Sequence, residues 1–150
     1  INQDTIISGV SITPLKIISD NRGAVMHMLR SDSEGYKQFG EVYFSLTRPG
    51  VVKGWKRHLE MTQNFVVPQG LIKLVIVDKR QDSDTEGVTQ TIVLGRPGHY
   101  KRVTIPPMLW YGFQAISTDD AILANCADRV HDKNESQTLP LNGGSINYEW

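Results

Sequence analysis

Short apolar or alternating segments follow one another along this chain, each closed off by turn residues, and nowhere does a sustained helical period appear. That pattern predicts strands over Val10–Ile18, Ala24–Leu29, Glu41–Thr47, Val51–His58 and Asn64–Val67. Further strands are predicted over Leu71–Asp78, Thr89–Leu94, Tyr100–Ile105, Leu109–Ala115, Ala121–Ala127 and Ile146–Trp150. The punctuation is Asp20-Asn21-Arg22-Gly23, Arg48-Pro49-Gly50, Pro68-Gln69-Gly70, Arg96-Pro97-Gly98 and Asn142-Gly143-Gly144. Pro68-Gln69-Gly70, set between Phe65–Val67 and Leu71–Val77, reads as a hairpin turn. Ser31–Gly40 and Asp128–Gln137 each have room for one helical turn. Dense short strands bury one face each and need a facing sheet. The expectation is one all-β domain over residues 1–150, an antiparallel sandwich or barrel with few short helical turns.

Charge and cysteine content remove several function classes. Lys+Arg and Asp+Glu both total 16, so the net charge is zero, where a chain tracking a nucleic-acid backbone carries a positive excess. Cys126 is the only cysteine, which excludes an intrachain disulfide and a thiolate zinc cluster. No apolar run reaches the ~18–20 residues of a membrane span. The expected setting is cytoplasmic, with no nucleic-acid or membrane partner. At 39% hydrophobic residues the chain has material for a real core.

The most specific stretch runs from Gly50 through Lys56-Arg57-His58 and Gln63 to Gly70. Its spacing resembles the first cupin motif: a glycine, a short spacer, His-x-His, an acidic ligand and a closing glycine. Ile105-Pro106-Pro107-Met108-Leu109-Trp110-Tyr111 resembles the second, a proline turn leading to a third histidine. Lys56, Gln63 and Tyr111 stand where ligands belong, leaving His58 alone, and an ammonium cannot coordinate. The expectation is a metal-free cupin-type double-stranded β-helix, a jelly-roll barrel, with no cofactor.

Among metal-free cupins the chain resembles the dTDP-4-dehydrorhamnose 3,5-epimerase family, and the resemblance runs from Asp20 to near the C-terminus. Asp20-Asn21-Arg22-Gly23 is similar to the family's Asp-x-Arg-Gly. Glu41–Ser45 with Lys53-Gly54-Trp55-Lys56 is similar to its Gln-x-Asn-x-Ser and Arg-Gly-Leu-His. Gly70 through Val77-Asp78-Lys79-Arg80 to Ser83, and Ile105-Pro106 through Tyr111-Gly112-Phe113, match two later stretches. The resemblance implies a homodimer, a nucleotide-diphosphate sugar as substrate, and a place in deoxysugar or O-antigen-type polysaccharide synthesis. It also marks departures. Lys56 occupies the position of the family's general base and Asn125 that of its tyrosine acid. Gln63 falls near its active-site lysine, and Glu149 near the aspartate that orients its histidine.

Epimerisation beside a C4 ketone needs a base on one face, an acid on the other, and a cation or proton donor at the ketone oxygen. Lys56 and His58 are two apart on a predicted strand, so strand parity puts them, with Gly54, on one side. This assigns His58 as base, its ordinary pKa being ~6.5, and Lys56 as the stabiliser of the enolate oxygen. Tyr111, at the third cupin histidine position, returns the proton; Tyr43, alternating with Glu41 and Ser45, is the other inward phenol. By aligned position Glu149 balances the charge of the pair, Arg22 reaches the diphosphate from the partner subunit, and Lys53 lies near sugar or phosphate. Glu41, Tyr43, Ser45 and Gln63 complete the expected substrate contacts. Two alternatives stay open: a degenerate cupin that binds a nucleotide sugar without turning it over, and a nucleotide-sugar 3,4-ketoisomerase.

Overall fold

The computed structural model describes residues 7–150. Twelve strands run in chain order: β1 (Ser11–Pro14), β2 (Ile17–Asp20), β3 (Gly23–Met26), β4 (Glu41–Thr47), β5 (Val52–His58) and β6 (Gln63–Gln69). They continue with β7 (Leu71–Val77), β8 (Thr89–Gly95), β9 (Lys101–Ile105), β10 (Trp110–Ala115), β11 (Ala121–Ala127) and β12 (Ser136–Thr138). Two five-stranded sheets face each other, ordered β1-β9-β6-β11-β4 and β12-β5-β10-β7-β8, with β2 and β3 as a separate ribbon. Every pairing is antiparallel. This is the antiparallel double-sheet architecture that the strand pattern predicts, in the jelly-roll form that the cupin resemblance implies.

The inward residues alternate along each strand and meet in one core: Phe65 and Val67 of β6, Ile72, Leu74 and Ile76 of β7, Ile92 and Leu94 of β8, and Leu123 of β11. Strand β7 is apolar on both faces because its outer face is also covered. There Val75, Val77, Trp55 and Trp110 form a second cluster with Ile146, over which Leu139, Leu141, Tyr148 and Trp150 pack. Residues 146–150 are therefore not the strand expected over Ile146–Trp150. Their alternate apolar side chains cross the sheet face and pack on it, without entering a ladder. Trp55 is fully buried, with the Trp150 ring 5.2 Å away and Tyr148 edge-on at 6.2 Å. The ammonium of Lys73, the one polar break in β7, sits 5.3 Å from the centroids of both tail rings.

Three further expectations are corrected. The segment Val10–Ile18 is two strands, not one: β1 pairs β9, and β2 leaves that sheet to pair only β3. Pro68-Gln69-Gly70 does not close a hairpin, because β6 and β7 lie in opposite sheets and the chain crosses between them. Gly70 takes φ +78 at this corner, where a Cβ would stand 2.8 Å from the Ala121 Cα. Residues 31–40 hold successive turns and no helix, strapped to the first sheet by Gln38 Nε2 donating to Asp128 O and Gly40 N to Ala127 O. Within Asp128–Gln137 the expected turn is a single 3-10 turn, Lys133–Glu135, with Asp132 as its cap.

Just past the end of β7, Asp78 is fully buried and accepts from Arg80, Ser83 and Thr85. Burial raises the Asp78 pKa, but these donors outweigh it and hold the carboxyl far below the usual range. The cluster pins the β7–β8 connection and, through Arg80 Nη2 to Ser8 O, the start of the described chain.

Trp150→Ala removes the ring that covers Trp55. Because Trp150 is itself only part-buried, we expect the low end of the aromatic-to-alanine range, about 3 kcal/mol, measured by denaturant unfolding. An unchanged midpoint would show that the tail contributes no packing.

Candidate active site

A bulge in β5 builds this pocket. Against β10, Tyr111 is opposite Lys56 and Phe113 is opposite Lys53, so three steps on β5 match two on β10. Lys53, Lys56 and His58 therefore share the inner face, while Trp55 and Arg57 point out, the latter 4.8 Å over Trp110. Gly54 lines the inner lobe as expected, but through its backbone, and a side chain there would point the other way. A Cβ there would meet Leu141 Cδ1 at 2.5 Å, beneath the tail, because the bulge has reset the alternation.

Two adjoining lobes open into the barrel mouth. The inner one, about 200 Å³, is lined by Tyr43, Ser45, Lys53, Lys56, Phe65 and Tyr111, among others. The outer one, about 400 Å³, is lined by Glu41, Tyr43, Lys56, His58, Met61 and His131. Tyr43 and Lys56 belong to both. Of the expected residues, His58, Lys56, Tyr111, Glu41, Tyr43, Ser45 and Lys53 thus converge here. Lys53 Nζ donates to Ser45 Oγ and Leu46 O, both at 2.8 Å, which ties it to β4. Lys56 is half-buried and its ammonium has no protein partner among the described residues.

His58 is 4% exposed, and its Nδ1 lies 2.7 Å from Glu135 Oε1. The other oxygen of Glu135 accepts from the backbone amides of Glu60 and Met61, at 2.9 and 2.8 Å. Burial pushes the Glu135 carboxyl up, but His58 and the two amides outweigh it and hold it below its ordinary value. An ionised Glu135 fixes Nδ1 as the protonated nitrogen, and Nε2, which has no protein partner, carries the lone pair. Glu135 was not among the expected residues. It lies 77 positions from His58, and only the pairing of β12 onto β5, Ser136 opposite His58, delivers it.

Four expected residues play other parts. Glu149 is exposed on the tail and pairs with neither Lys56 nor His58; Tyr148 and Trp150 pack down on either side of it, turning its carboxylate outward. Asn125 and Gln63 are buried under the pocket wall and do not line it. Asn125 accepts from Asn64 N and donates to the Tyr43 hydroxyl at 3.0 Å and to Gln63 Oε1 at 3.2 Å. This leaves the Tyr43 O–H free to donate into the pocket. Arg22, 85% exposed on the β2–β3 turn and paired to Asp20, lines neither lobe.

Tyr111 stands alongside His58, ring planes 12° apart and centroids 6.3 Å apart, with Phe65 edge-on at 5.3 Å. Burial pushes its phenol well above the usual value, a hydrogen bond with Gln63 opposing only in part, so it stays protonated. Among the described residues no three His, Cys, Asp or Glu side chains are placed to hold a metal ion.

A jelly-roll barrel whose mouth joins a carboxylate-held imidazole, an unpaired ammonium and two phenols has the architecture of a cupin with acid and base groups at its mouth. The chain belongs to the dTDP-4-dehydrorhamnose 3,5-epimerase family, whose sequence model matches residues 4–150. It is 36% identical over 149 residues to a probable low-salt glycan biosynthesis epimerase, Agl13, of Haloferax volcanii, covering 96% of this chain and 94% of that one. It is 25% identical to the spore coat polysaccharide biosynthesis protein SpsL of Bacillus subtilis, covering 96% of each. A crystal structure of a dTDP sugar isomerase from Desulfovibrio desulfuricans superposes with a TM-score of 0.90 at 44% identity, covering 92% of this chain and 88% of that one.

Glu135→Gln leaves the two amides and His58 with a neutral acceptor, and we expect a cost of about 1–3 kcal/mol at pH 7. Because folding lowers the Glu135 pKa, its carboxylate stabilises fully above the unfolded value of ~4.3, and that contribution is lost as pH falls through the folded value. The gap between wild type and variant should therefore narrow from pH 7 to pH 3 in thermal melts. A constant gap would refute the charged role.

Proposed function

We propose that this protein epimerises a nucleotide-linked 4-keto-6-deoxyhexose at C3 and/or C5 through an enolate. One observation carries the reading: His58, held at Nδ1 by Glu135 and left with a buried, unpartnered Nε2, lines a pocket to which the facing sheet contributes Tyr43. Nε2 takes the proton from the carbon beside the ketone, and the C–H electron pair becomes the enolate. Lys56 Nζ meets the oxygen where the negative charge collects. Tyr43 then gives its proton to the same carbon from the other side, which inverts it. The sequence assigned that return to Tyr111. Tyr111 stands beside His58 in the same sheet, whereas Tyr43 belongs to the facing sheet, as an inverting acid must. Relatives named for glycan and spore coat polysaccharide synthesis support a role in making a deoxysugar for a surface polysaccharide, of the O-antigen type. A cytoplasmic setting goes with that substrate class.

The reading is tested by mass spectrometry of dTDP-, CDP- and GDP-linked 4-keto-6-deoxyhexoses incubated in deuterated water. Wild type should place deuterium at C3 or C5. His58→Gln should cut wash-in by ~10²–10⁴-fold. Tyr43→Phe should slow inversion while exchange of the abstracted proton continues. Absence of label from wild type with all three sugars would sink the assignment.

The same proposal includes a homodimer. Val42, Phe44 and Leu46, 46%, 70% and 48% exposed, form an apolar stripe on the outer face of edge strand β4, and Ile17, Ile18 and Val25 of the ribbon are exposed likewise. A second copy burying both would bring the turn bearing Arg22 towards a pocket that lacks an arginine, the side chain suited to gripping a diphosphate. Phe44→Glu should convert the dimer to monomer in light scattering. Arg22→Ala should keep the dimer and lose most of the thermal shift given by dTDP. A wild-type monomer would overturn this part alone.

A further inference from the structure

Arg102 of β9 is a buried cation with no counter-charge bonded to it among the described residues. It is 3% exposed; its Nη1 donates to Met28 O, and its Nε has no acceptor. Burial lowers its pKa, and no carboxylate among the described residues offsets that. A charge taken out of water is costly unless an anion meets it. Arg102 lines a cleft of about 600 Å³ between β1 and the strap of residues 27–35, on the outer side of the first sheet. The cleft shares no residue with either lobe of the pocket.

Its other walls fit the same ligand. Lys16 lines the cleft and has no protein partner, and Arg30 lines it too, although forked onto Asp32. The hydroxyls of Ser11 and Thr13 are likewise unbonded within the described protein. Glu34 is the one acid among the lining residues and Arg30 is already paired to Asp32, so two uncommitted cations, Arg102 and Lys16, face a single carboxylate. That imbalance suits a multiply charged anion better than a lone carboxylate, and a guanidinium forks onto phosphate oxygens. The cleft also exceeds what one phosphate fills.

We infer that this cleft is a second binding site, for a diphosphate, with Arg102 as its buried anchor. The diphosphate is either inorganic or carried on a nucleoside. The site is independent of the epimerase pocket, and a diphosphate there neutralises a charge that the protein leaves exposed to nothing else.

Calorimetric titration with inorganic pyrophosphate tests it. Wild type should bind, and Arg102→Met, of similar length but uncharged, should raise the Kd by about tenfold or more. Lys16→Ala, at an exposed position, should raise it by about threefold, and it decides the matter if Arg102→Met fails to fold. Lys53→Ala should leave Arg102-dependent pyrophosphate binding in place, since Lys53 belongs to the other pocket. Titration with dTDP separates the sources. Binding that loses one molecule per chain in Arg102→Met shows that nucleotide-borne diphosphate enters; dTDP binding unchanged by the substitution assigns the site to the inorganic ion. No pyrophosphate binding to wild type, or binding that Arg102→Met or Lys16→Ala leaves unchanged, overturns the inference. A chain that turns over no sugar yet binds pyrophosphate through Arg102 would refute the epimerase reading and leave this one standing.

Discussion

A buried carboxylate must have its oxygens filled, and Glu135 fills both: one on His58 Nδ1, the other on the amides of Glu60 and Met61. Three parts of the chain are joined there. The 3-10 turn that carries Glu135 leads into β12, β12 closes the edge of the second sheet by pairing β5, and the β5–β6 turn receives the second oxygen. The backbone repeats the link, with Leu59 N donating to Glu135 O. Orientation of the imidazole and closure of a sheet edge are thus one structural event. Loosening either loosens the other.

Net charge zero conceals an uneven distribution. The pocket carries Lys53 and Lys56 against Glu41, the Arg102 cleft carries an excess of cations, and the acids are spent elsewhere. Asp78 and Glu135, the two buried carboxylates, are each satisfied within the protein and attract nothing from outside. Cations are left open where anions are to arrive. An even composition therefore excludes a polyanion-tracking surface but says nothing against local anion sites.

How much of this was legible in the sequence depends on whether the signal is local. The limits of β4 and β11 match their predicted ranges, Glu41–Thr47 and Ala121–Ala127, because turn residues bound alternating segments. Pro68-Gln69-Gly70 marked correctly that the chain turns. It carried no information on which sheet the next strand enters, since that depends on partners β10 and β8, later in the chain. Ile146, Tyr148 and Trp150 repeat with period two whether they sit in a ladder or lie across a sheet face. The double-sided apolar run of β7 was the clue to the second arrangement, because something had to cover Val75 and Val77. Family position placed the orienting acid at Glu149. The acid that reaches His58 comes from a turn with no periodic pattern, and only the fold brings it there.

The bulge in β5 bears directly on the chemistry. Without it, the side chains of Lys53 and Lys56 would face opposite sides of the sheet. With it, both enter the pocket and His58 follows two residues on. Moving the base from position 56 to position 58 shifts it by about 6–7 Å along the strand. That is further than C3 and C5 are separated across the ketone, so the same substrate seating cannot serve both arrangements. A sugar seated for a base at His58 places its ketone back along β5, towards Lys56. An ammonium there is wasted as a base but well placed for the enolate oxygen. On the proposed mechanism, the lysine that departs from the family pattern and the histidine that takes the part of base are two consequences of one displacement along a single strand.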